Sequence, residues 1–373
     1  MEKKTRVGIT GQAGFIGSHL YNYLGLQPGI ERIPFQDDYF DNQNKLAEFV
    51  GSCDVLVHLA AVNRHAEAQT LYDTNIGLVQ QVIDALETVD HKPHVLFSSS
   101  IQEQRDNLYG KSKKDGRELF SRWAAKNQAL FTGLVIPNVF GPFGQPFYNS
   151  VVSTFSHQLI HNEEPQIHID AELPLVYVND LVAEIGRIID QRRVAPEYPI
   201  AESARIKVSR ILSKLQQFKQ IYVENGIFPD LSNRFDLDLF NTFRSYVPVD
   251  FFPRIYPLHA DERGRFVELV KTDNGGQTSY STTRPGITRG NHFHIRKVER
   301  FMVINGTAEI KLRRIGSDSV ITYQLDGRQP AFVDIPVWVT HNLTNVGEDE
   351  LVTVFWINER FDPEDEDTFY EIV

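Results

Sequence analysis

Val7-Gly8-Ile9-Thr10-Gly11-Gln12-Ala13-Gly14-Phe15-Ile16-Gly17 is the stretch on which the reading of this chain turns. A short apolar strand runs into three glycines spaced three apart, and Phe15 to Leu24 then carries apolar residues at helical intervals. A strand that becomes a helix through such a loop brings its backbone close to a pyrophosphate. Gly11 permits the turn, Gly14 admits the phosphates, and Gly17 lets the helix pack on the sheet. The helix N-terminus supplies partial positive charge, so no basic side chain is required.

Outward from this stretch the pattern repeats. Val55 to Leu59, Val95 to Phe97 and Thr132 to Ile136 read as further strands, with Tyr72 to Glu87 and Ser112 to Asn127 as amphipathic crossover helices. The alternation predicts an α/β domain with a Rossmann-type, doubly wound parallel sheet. Residues 207–245 read as helical, with Ser209 as an N-cap and Ile211, Leu212, Leu215 and Phe218 as one stripe, and are assigned to the same domain. After Pro248 and Pro253 the composition changes. Short alternating strands such as Phe301 to Ile304, Ala308 to Leu312 and Leu351 to Ile357 predict an all-β jelly-roll barrel. The expected domains are residues 1–248 and 249–373.

The 373 residues are 41% hydrophobic, enough to fill a core in each domain. A net charge of −11 with scattered Lys and Arg leaves no basic footprint for nucleic acid. Any anionic ligand must be held by local devices such as helix N-termini. No apolar run approaches the roughly 20 residues of a membrane span, and no signal-peptide core precedes Val7, so a cytoplasmic protein is expected. The single cysteine, Cys53, excludes an intrachain disulfide and reads as a buried structural thiol. The acidic stretch Asp362 to Asp367 reads as a solvated tail without a functional part.

Chemistry enters with Ser98-Ser99-Ser100 at the end of a strand, followed nine residues later by Tyr109-Gly110-Lys111-Ser112-Lys113 at the start of a helix. Tyr109 and Lys113 share a helix face. A phenol is a proton donor at neutral pH, and a nearby ammonium stabilises the phenolate left behind. Tyr109 is therefore the candidate general acid and Lys113 its partner. Ser100 is placed to hydrogen-bond the same substrate oxygen, with Ser99 the nearest competitor for that role.

The glycine loop, His58-Leu59-Ala60-Ala61, the serine run, the Tyr/Lys pair and Pro137-Asn138-Val139-Phe140-Gly141-Pro142 together resemble the extended short-chain dehydrogenase/reductase family, whose members act mostly on nucleotide sugars. That resemblance implies NAD(P) on Gly11, Gly14, Phe15, Ile16, Gly17, Leu59, Ala60, Ala61, Ser98, Tyr109 and Lys113. It implies substrate contacts from Asn63, Arg64, Ser99 and Asn138. Sugar-nucleotide dehydratases carry Thr-Asp-Glu where this chain has Ser100-Ile101-Gln102, so reduction or epimerisation is favoured over dehydration. An acidic residue near Asp37 or Asp38 would favour NAD over NADP, but the sequence does not place it.

The second constellation lies in the expected barrel. Gly286, His292-Phe293-His294, Glu299 and Gly306 reproduce the spacing of the first cupin motif. His341, after Trp338 and before Asn345, matches the second. On a strand His292 and His294 point to one side, and Glu299 and His341 return from neighbouring strands. Three histidines and a carboxylate suit a divalent transition metal, zinc first. Trp338 stands where the motif usually has glycine. Asp261 to Glu268 and Arg289 to His292 resemble the deoxysugar 3,5-epimerase branch of cupins, in which the matching histidine is a base. A metal-bound His292 cannot also be a free base, and Glu268, Lys271 and Tyr280 are candidates to assist.

The order of the two domains, with Tyr148-Asn149-Ser150 and Gly286 to His294, resembles two-domain capsular-polysaccharide enzymes of UDP-N-acetyl-L-fucosamine synthesis. This resemblance implies a UDP-2-acetamido-2,6-dideoxy-4-ketohexose substrate, C3 epimerisation in the cupin, NADPH-dependent reduction at C4 to the L-talose sugar, and a homodimer through the cupins. Two alternatives stay open: a reductase whose cupin is a metal-stiffened dimer module, and a ligand sensor with a vestigial reductase domain. The intact Ser100, Tyr109 and Lys113 set argues against the sensor.

Overall fold

A computed structural model describes residues 3–255, 259–261, 264–266, 269–272, 275–359 and 362–373. They gather into two compact units, the first comprising Met1–Phe140, Gly144–Val151 and Ala171–Lys207 and the second Gly141–Phe143, Val152–Asp170 and Val208–Val373.

The chain opens with β1 (Thr5–Thr10), α1 (Phe15–Gly25), β2 (Ile30–Ile33), α2 (Gln43–Ser52), β3 (Val55–His58), α3 (Ala68–Thr88), β4 (His94–Ser100), α4 (Leu108–Asn127) and β5 (Phe131–Ile136). It continues through β6 (Asn138–Phe140), α5 (Val151–Ile160), β7 (Glu172–Tyr177), α6 (Val178–Asp190), β8 (Ala195–Pro199) and β9 (Ala204–Lys207). Six strands form one parallel sheet in the order β2-β1-β3-β4-β5-β8. The pleat of β3 explains why its four residues are all buried. Val55 and Val57 join Val7 and Ile9 beneath α1 and α6, while Leu56 meets α2, α3 and α4 on the other face. Strand order reverses between β1 and β3, so their connections leave to opposite faces and a crevice opens at their carboxyl ends. The glycine loop lies at that point.

In the second unit α7 (Val208–Phe218) runs into a π-helical stretch, Lys219–Glu224, and then α8 (Arg234–Arg244). These helices, assigned from sequence to the first domain, cluster with the barrel, so the division by packing does not follow the sequence boundary at 248. The physical link is aromatic. Phe218 packs on Phe240 and Phe243, Tyr222 lies against Phe228 and Phe240, and Phe228 stacks on Trp356 with centroids 4.4 Å apart. An amphipathic stripe announces a buried face without naming its partner. Helix α7 starts at Val208, and Ser209 is not its cap: Asp170 accepts hydrogen bonds from the Ser209 backbone N–H (2.8 Å) and hydroxyl (2.9 Å).

The remaining strands are β10 (Arg254–Ile255), β11 (His259–Asp261), β12 (Gly264–Phe266), β13 (Gln277–Thr283), β14 (Thr288–Phe293), β15 (Glu299–Asn305), β16 (Thr307–Arg314), β17 (Val320–Asp326), β18 (Ala331–Ile335), β19 (Val339–Asn345), β20 (Leu351–Ile357) and β21 (Phe369–Tyr370). Two five-stranded antiparallel sheets, β10-β18-β15-β20-β13 and β17-β16-β19-β14-β21, close over a core of Val303, Ile310, Leu312, Val333, Val339 and Leu343. This is the expected jelly-roll barrel. Of the stretch Asp261 to Glu268, residues Glu262, Arg263, Val267 and Glu268 lie outside the described residues. No helix among the described residues is long and apolar enough to cross a membrane.

Candidate active site and metal centre

The glycine loop is shaped by close approaches. Gly11 has φ +69°, and a Cβ there would meet the Ala60 backbone at 2.9 Å, so this glycine admits the loop after β3 with Leu59, Ala60 and Ala61 alongside. A Cβ on Gly17 would collide with the Gly11 carbonyl oxygen. The Gly14 N–H donates to that same oxygen at 3.0 Å, and Gly14 caps α1 without a side-chain acceptor, leaving the first-turn N–H groups around Phe15 and Ile16 for a ligand. Thr10 and His58, the last residues of β1 and β3, are joined at 2.7 Å, and Gln12 accepts from the Phe35 N–H at 3.1 Å. This cradle fits a dinucleotide pyrophosphate. Strand β2 ends at Ile33, and Asp38, on the turn that follows, is paired with Lys45 at 3.1 Å.

Helix α4 begins at Leu108 because Asn107 caps it, accepting from the Gly110 N–H at 2.7 Å. A Cβ on Gly110 would strike the Gln102 carbonyl, so this glycine seats the first turn of α4 against the end of β4 and brings Tyr109 there. Lys113 is 5% exposed; its ammonium donates to the Ser98 carbonyl at 3.0 Å and lies 5.4 Å and 5.8 Å from the ring centroids of Phe97 and Tyr109. Burial pulls Lys113 down to about 8. Burial, with Tyr148 nearby, pushes Tyr109 up to about 12. At neutral pH the phenol therefore keeps its proton while the amine stays mostly charged, the pairing a proton donor needs. His58 is held neutral, near 3, by burial and then by the Lys113 charge.

The serines separate. Ser98 donates to the His58 carbonyl at 3.2 Å. Ser99 donates to the Glu103 carboxylate, which Arg117 grips at 2.6 and 2.8 Å. Ser100, half-buried, accepts from the Gln102 N–H at 3.2 Å and lies on the opposite pleat from Ser99. Beside Tyr109 opens a cleft of about 560 Å³ lined by Asn63, Arg64, His65, Asn107 and Leu108. The Asn63 N–H donates to the Tyr148 hydroxyl and Arg64 to the Phe147 carbonyl, each at 3.2 Å. Asn138 donates to the Pro174 carbonyl at 3.0 Å across β6 and β7. Sequence reading passed over Asn75. Buried on α3, it accepts from the Val62 N–H (2.7 Å) and donates to Ser112 (3.1 Å), joining the loop after β3 to α4. Its signal was a polar residue on an otherwise apolar helix face.

In the barrel, a bulge at Asn291 (φ +59°) sets His292 directly opposite His341. His294 Nε2 lies 2.9 Å from Glu299 Oε2, and His341 Nε2 stands 3.3 Å from the same oxygen without the alignment of a hydrogen bond. The His292 ring is centred 4.6 Å from His341 and 5.1 Å from His294. One ligand atom from each of the four lies within 4.8 Å of the others, and closing that span to about 3.4 Å gives the edge of a tetrahedron around one zinc ion with bonds of about 2.1 Å. The His341 ring nitrogens, buried and without hydrogen-bond partners among the described residues, are placed to accept a cation. Burial and then the other two histidines hold His292 near 4, in the neutral form that metal binding requires.

The acidic tail is not merely solvated. Asp367 is 6% exposed, its carbonyl accepts the His294 Nδ1 proton at 2.5 Å, and its carboxylate accepts three N–H groups from Ile295 to Lys297. That bond turns His294 Nε2 toward the cluster. The backbone at Trp338 has φ +59°, the region that favours glycine, so the motif's turn survives the substitution while the indole packs on Phe293 at 5.5 Å. Tyr280, 73% exposed, alternates away from the inward Ser279 and Ser281, and Lys271 is exposed.

Comparison with known proteins gives two family matches: the NAD dependent epimerase/dehydratase family over residues 7–201 and the polysaccharide biosynthesis C-terminal domain over 259–369. A UDP-2-acetamido-2,6-beta-L-arabino-hexul-4-ose reductase of Pseudomonas aeruginosa is 34% identical over 98% of both chains. The crystal structure of the capsular polysaccharide assembling protein CapF from Staphylococcus aureus is 34% identical, covers 99% of this chain and 100% of its own, and superposes with a TM-score of 0.64. WbmF of Bordetella bronchiseptica, in complex with NAD+ and UDP, is 15% identical over 65% of this chain and 92% of its own; its TM-score of 0.53 reflects a shared fold alone.

Proposed function

Since this chain belongs to the NAD-dependent epimerase/dehydratase family, we propose that it is a bifunctional UDP-sugar enzyme of UDP-N-acetyl-L-fucosamine synthesis. It epimerises C3 of a UDP-2-acetamido-2,6-dideoxy-4-ketohexose in its cupin barrel, then reduces the C4 ketone to UDP-2-acetamido-2,6-dideoxy-L-talose with NADPH. The observation that carries the reading is the presence in one chain of two gathered sets of chemical groups: Tyr109 with Lys113 at the end of β4, and His292, His294, Glu299 and His341 in the barrel. The full-length similarity to a keto-sugar reductase supports it.

In the reductase, the glycine loop with Leu59, Ala60, Ala61 and Ser98 holds the dinucleotide. NAD(P)H supplies the hydride. Tyr109 gives its proton to the C4 oxygen, Ser100 holds that oxygen, and Lys113 balances the phenolate. Asn63, Arg64, Ser99 and Asn138 are the proposed substrate residues; of these Asn63 and Arg64 line the cleft beside Tyr109, while Ser99 is engaged with Glu103. In the barrel, His292, His294, Glu299 and His341 would hold a divalent ion, zinc first, whose Lewis acidity favours loss of the C3 proton. The C4 ketone is what acidifies that proton, so epimerisation precedes reduction. His292 is then a ligand, and the base is another group. The reading includes a cytoplasmic homodimer through the barrel, for which β13, the outer strand of its sheet, offers an edge.

The test follows deuterium uptake at C3 by NMR after mixing enzyme with the UDP-4-keto sugar in D₂O without NADPH. Enzyme-dependent uptake, lost on chelation, is expected. No uptake with NADPH still oxidised on addition would leave a reductase carrying a structural barrel.

A further inference from the structure

Glu299 is the first residue of β15 and pairs with Ile335 of β18; the next pair along is Arg300 with Asp334. Alternation turns Glu299 inward, to His294 and His341, and Arg300 and Asp334 outward. That outer face is buried: Arg300 and Asp334 are each 1% exposed, joined by two bonds of 2.7 and 3.0 Å. What covers them is the helical segment 208–245. The Tyr222 hydroxyl donates to Asp334, and Arg244, at the end of α8, donates to the carbonyl of Ile335, the cross-strand partner of Glu299. Arg300 also donates to the Gly226 carbonyl at 3.2 Å and is stacked between Phe228 (4.6 Å) and Phe332 (3.7 Å).

Burying two guanidiniums, a carboxylate and a phenol is an expensive way to attach a helix to a sheet, since well-packed apolar side chains of similar volume generally do so at least as well. What such a network adds is direction: bidentate and charge-assisted bonds fix geometry where apolar contacts slide. Here the bonds from Tyr222 and Arg244 land on one strand pair, at Asp334 and Ile335 beside Arg300. We infer that Tyr222, Arg244, Arg300 and Asp334 form a brace behind the barrel wall whose task is to position Glu299 for metal. They are positioning residues, and the helical segment is part of the metal centre. The inference rests on the reading of the four-residue cluster as a metal site.

The test uses the zinc-loaded full chain, titrated with a competing chelator, and the cobalt-substituted chain, whose visible spectrum reports ligand geometry. Tyr222→Phe removes only the hydroxyl on Asp334; Arg244→Lys keeps the charge and loses the bond to Ile335. Each is expected to weaken zinc by about 10-fold or more and to shift the cobalt bands, with NADPH affinity unchanged. Phe218→Leu, a core change in α7 that removes none of these bonds, should lower the melting temperature without either effect. Wild-type zinc affinity and cobalt spectrum in both brace variants would overturn the inference alone, as would an equal loss in Phe218→Leu at matched melting temperature. A wild-type chain that binds no metal would overturn the metal-site reading and the brace with it.

Discussion

The two constellations are built on opposite principles. At the carboxyl ends of β1 and β3 the cradle is made by backbone: glycines give way, and helix N–H groups are left for a ligand because no side chain caps them. In the barrel, four imidazole and carboxylate groups from β14, β15, β19 and the residue after β14 converge, with orientation supplied from Asp367, 73 residues beyond His294. The first site is local in sequence and intolerant of added atoms. The second is scattered in sequence and intolerant of lost ones.

The sharpest way to break this comparison adds atoms to the first site. Gly17→Val drives a side chain into the Gly11 carbonyl and should weaken NADPH binding by at least about 100-fold in a fluorescence titration, leaving zinc content unchanged. Tyr109→Phe removes one oxygen and should slow NADPH oxidation by roughly 10²- to 10⁴-fold while NADPH still binds and C3 exchange continues. Retention of the parent reduction rate would refute the assignment of the acid. His341→Ala takes one ligand from the second site, and metal analysis should find zinc depleted with NADPH affinity intact.

Smaller effects sharpen the contrast. Because burial depresses Lys113 to about 8, its ammonium is present below that pH and is lost as pH rises through it. The kcat/KM for reduction should therefore decline above about pH 8, by about tenfold per unit, whereas C3 exchange should not follow that limb. Finally, Trp338→Gly and Trp338→Ala both lose the packing on Phe293, but only glycine relieves φ +59°. Chemical denaturation should find the glycine variant the more stable of the two by about 1 kcal/mol.

Much of this was legible in the chain. Glycines three apart, a tyrosine four before a lysine, and histidines alternating about Phe293 are local signals, and the structure brings each group together as their spacing requires. Reading failed where a residue's role depends on a distant partner. Ser209 looked like a cap, but Asp170 caps it; Asp362 to Asp367 looked solvated, but Asp367 orients His294; Asn75 carried no motif yet ties a loop to two helices.

Sequence alone determined the strand–glycine–helix turn, the Tyr109–Lys113 pair and the four barrel residues that gather as a candidate metal site, because backbone clashes and strand or helix periodicity act over a few residues. Only the tertiary structure decided that helices 208–245 seat on the barrel, that Ser99 turns to Glu103 and Arg117, and that Arg300, Asp334, Tyr222 and Arg244 meet behind Glu299. An apolar stripe or a buried charge states what must be satisfied, and the folded chain chooses what satisfies it.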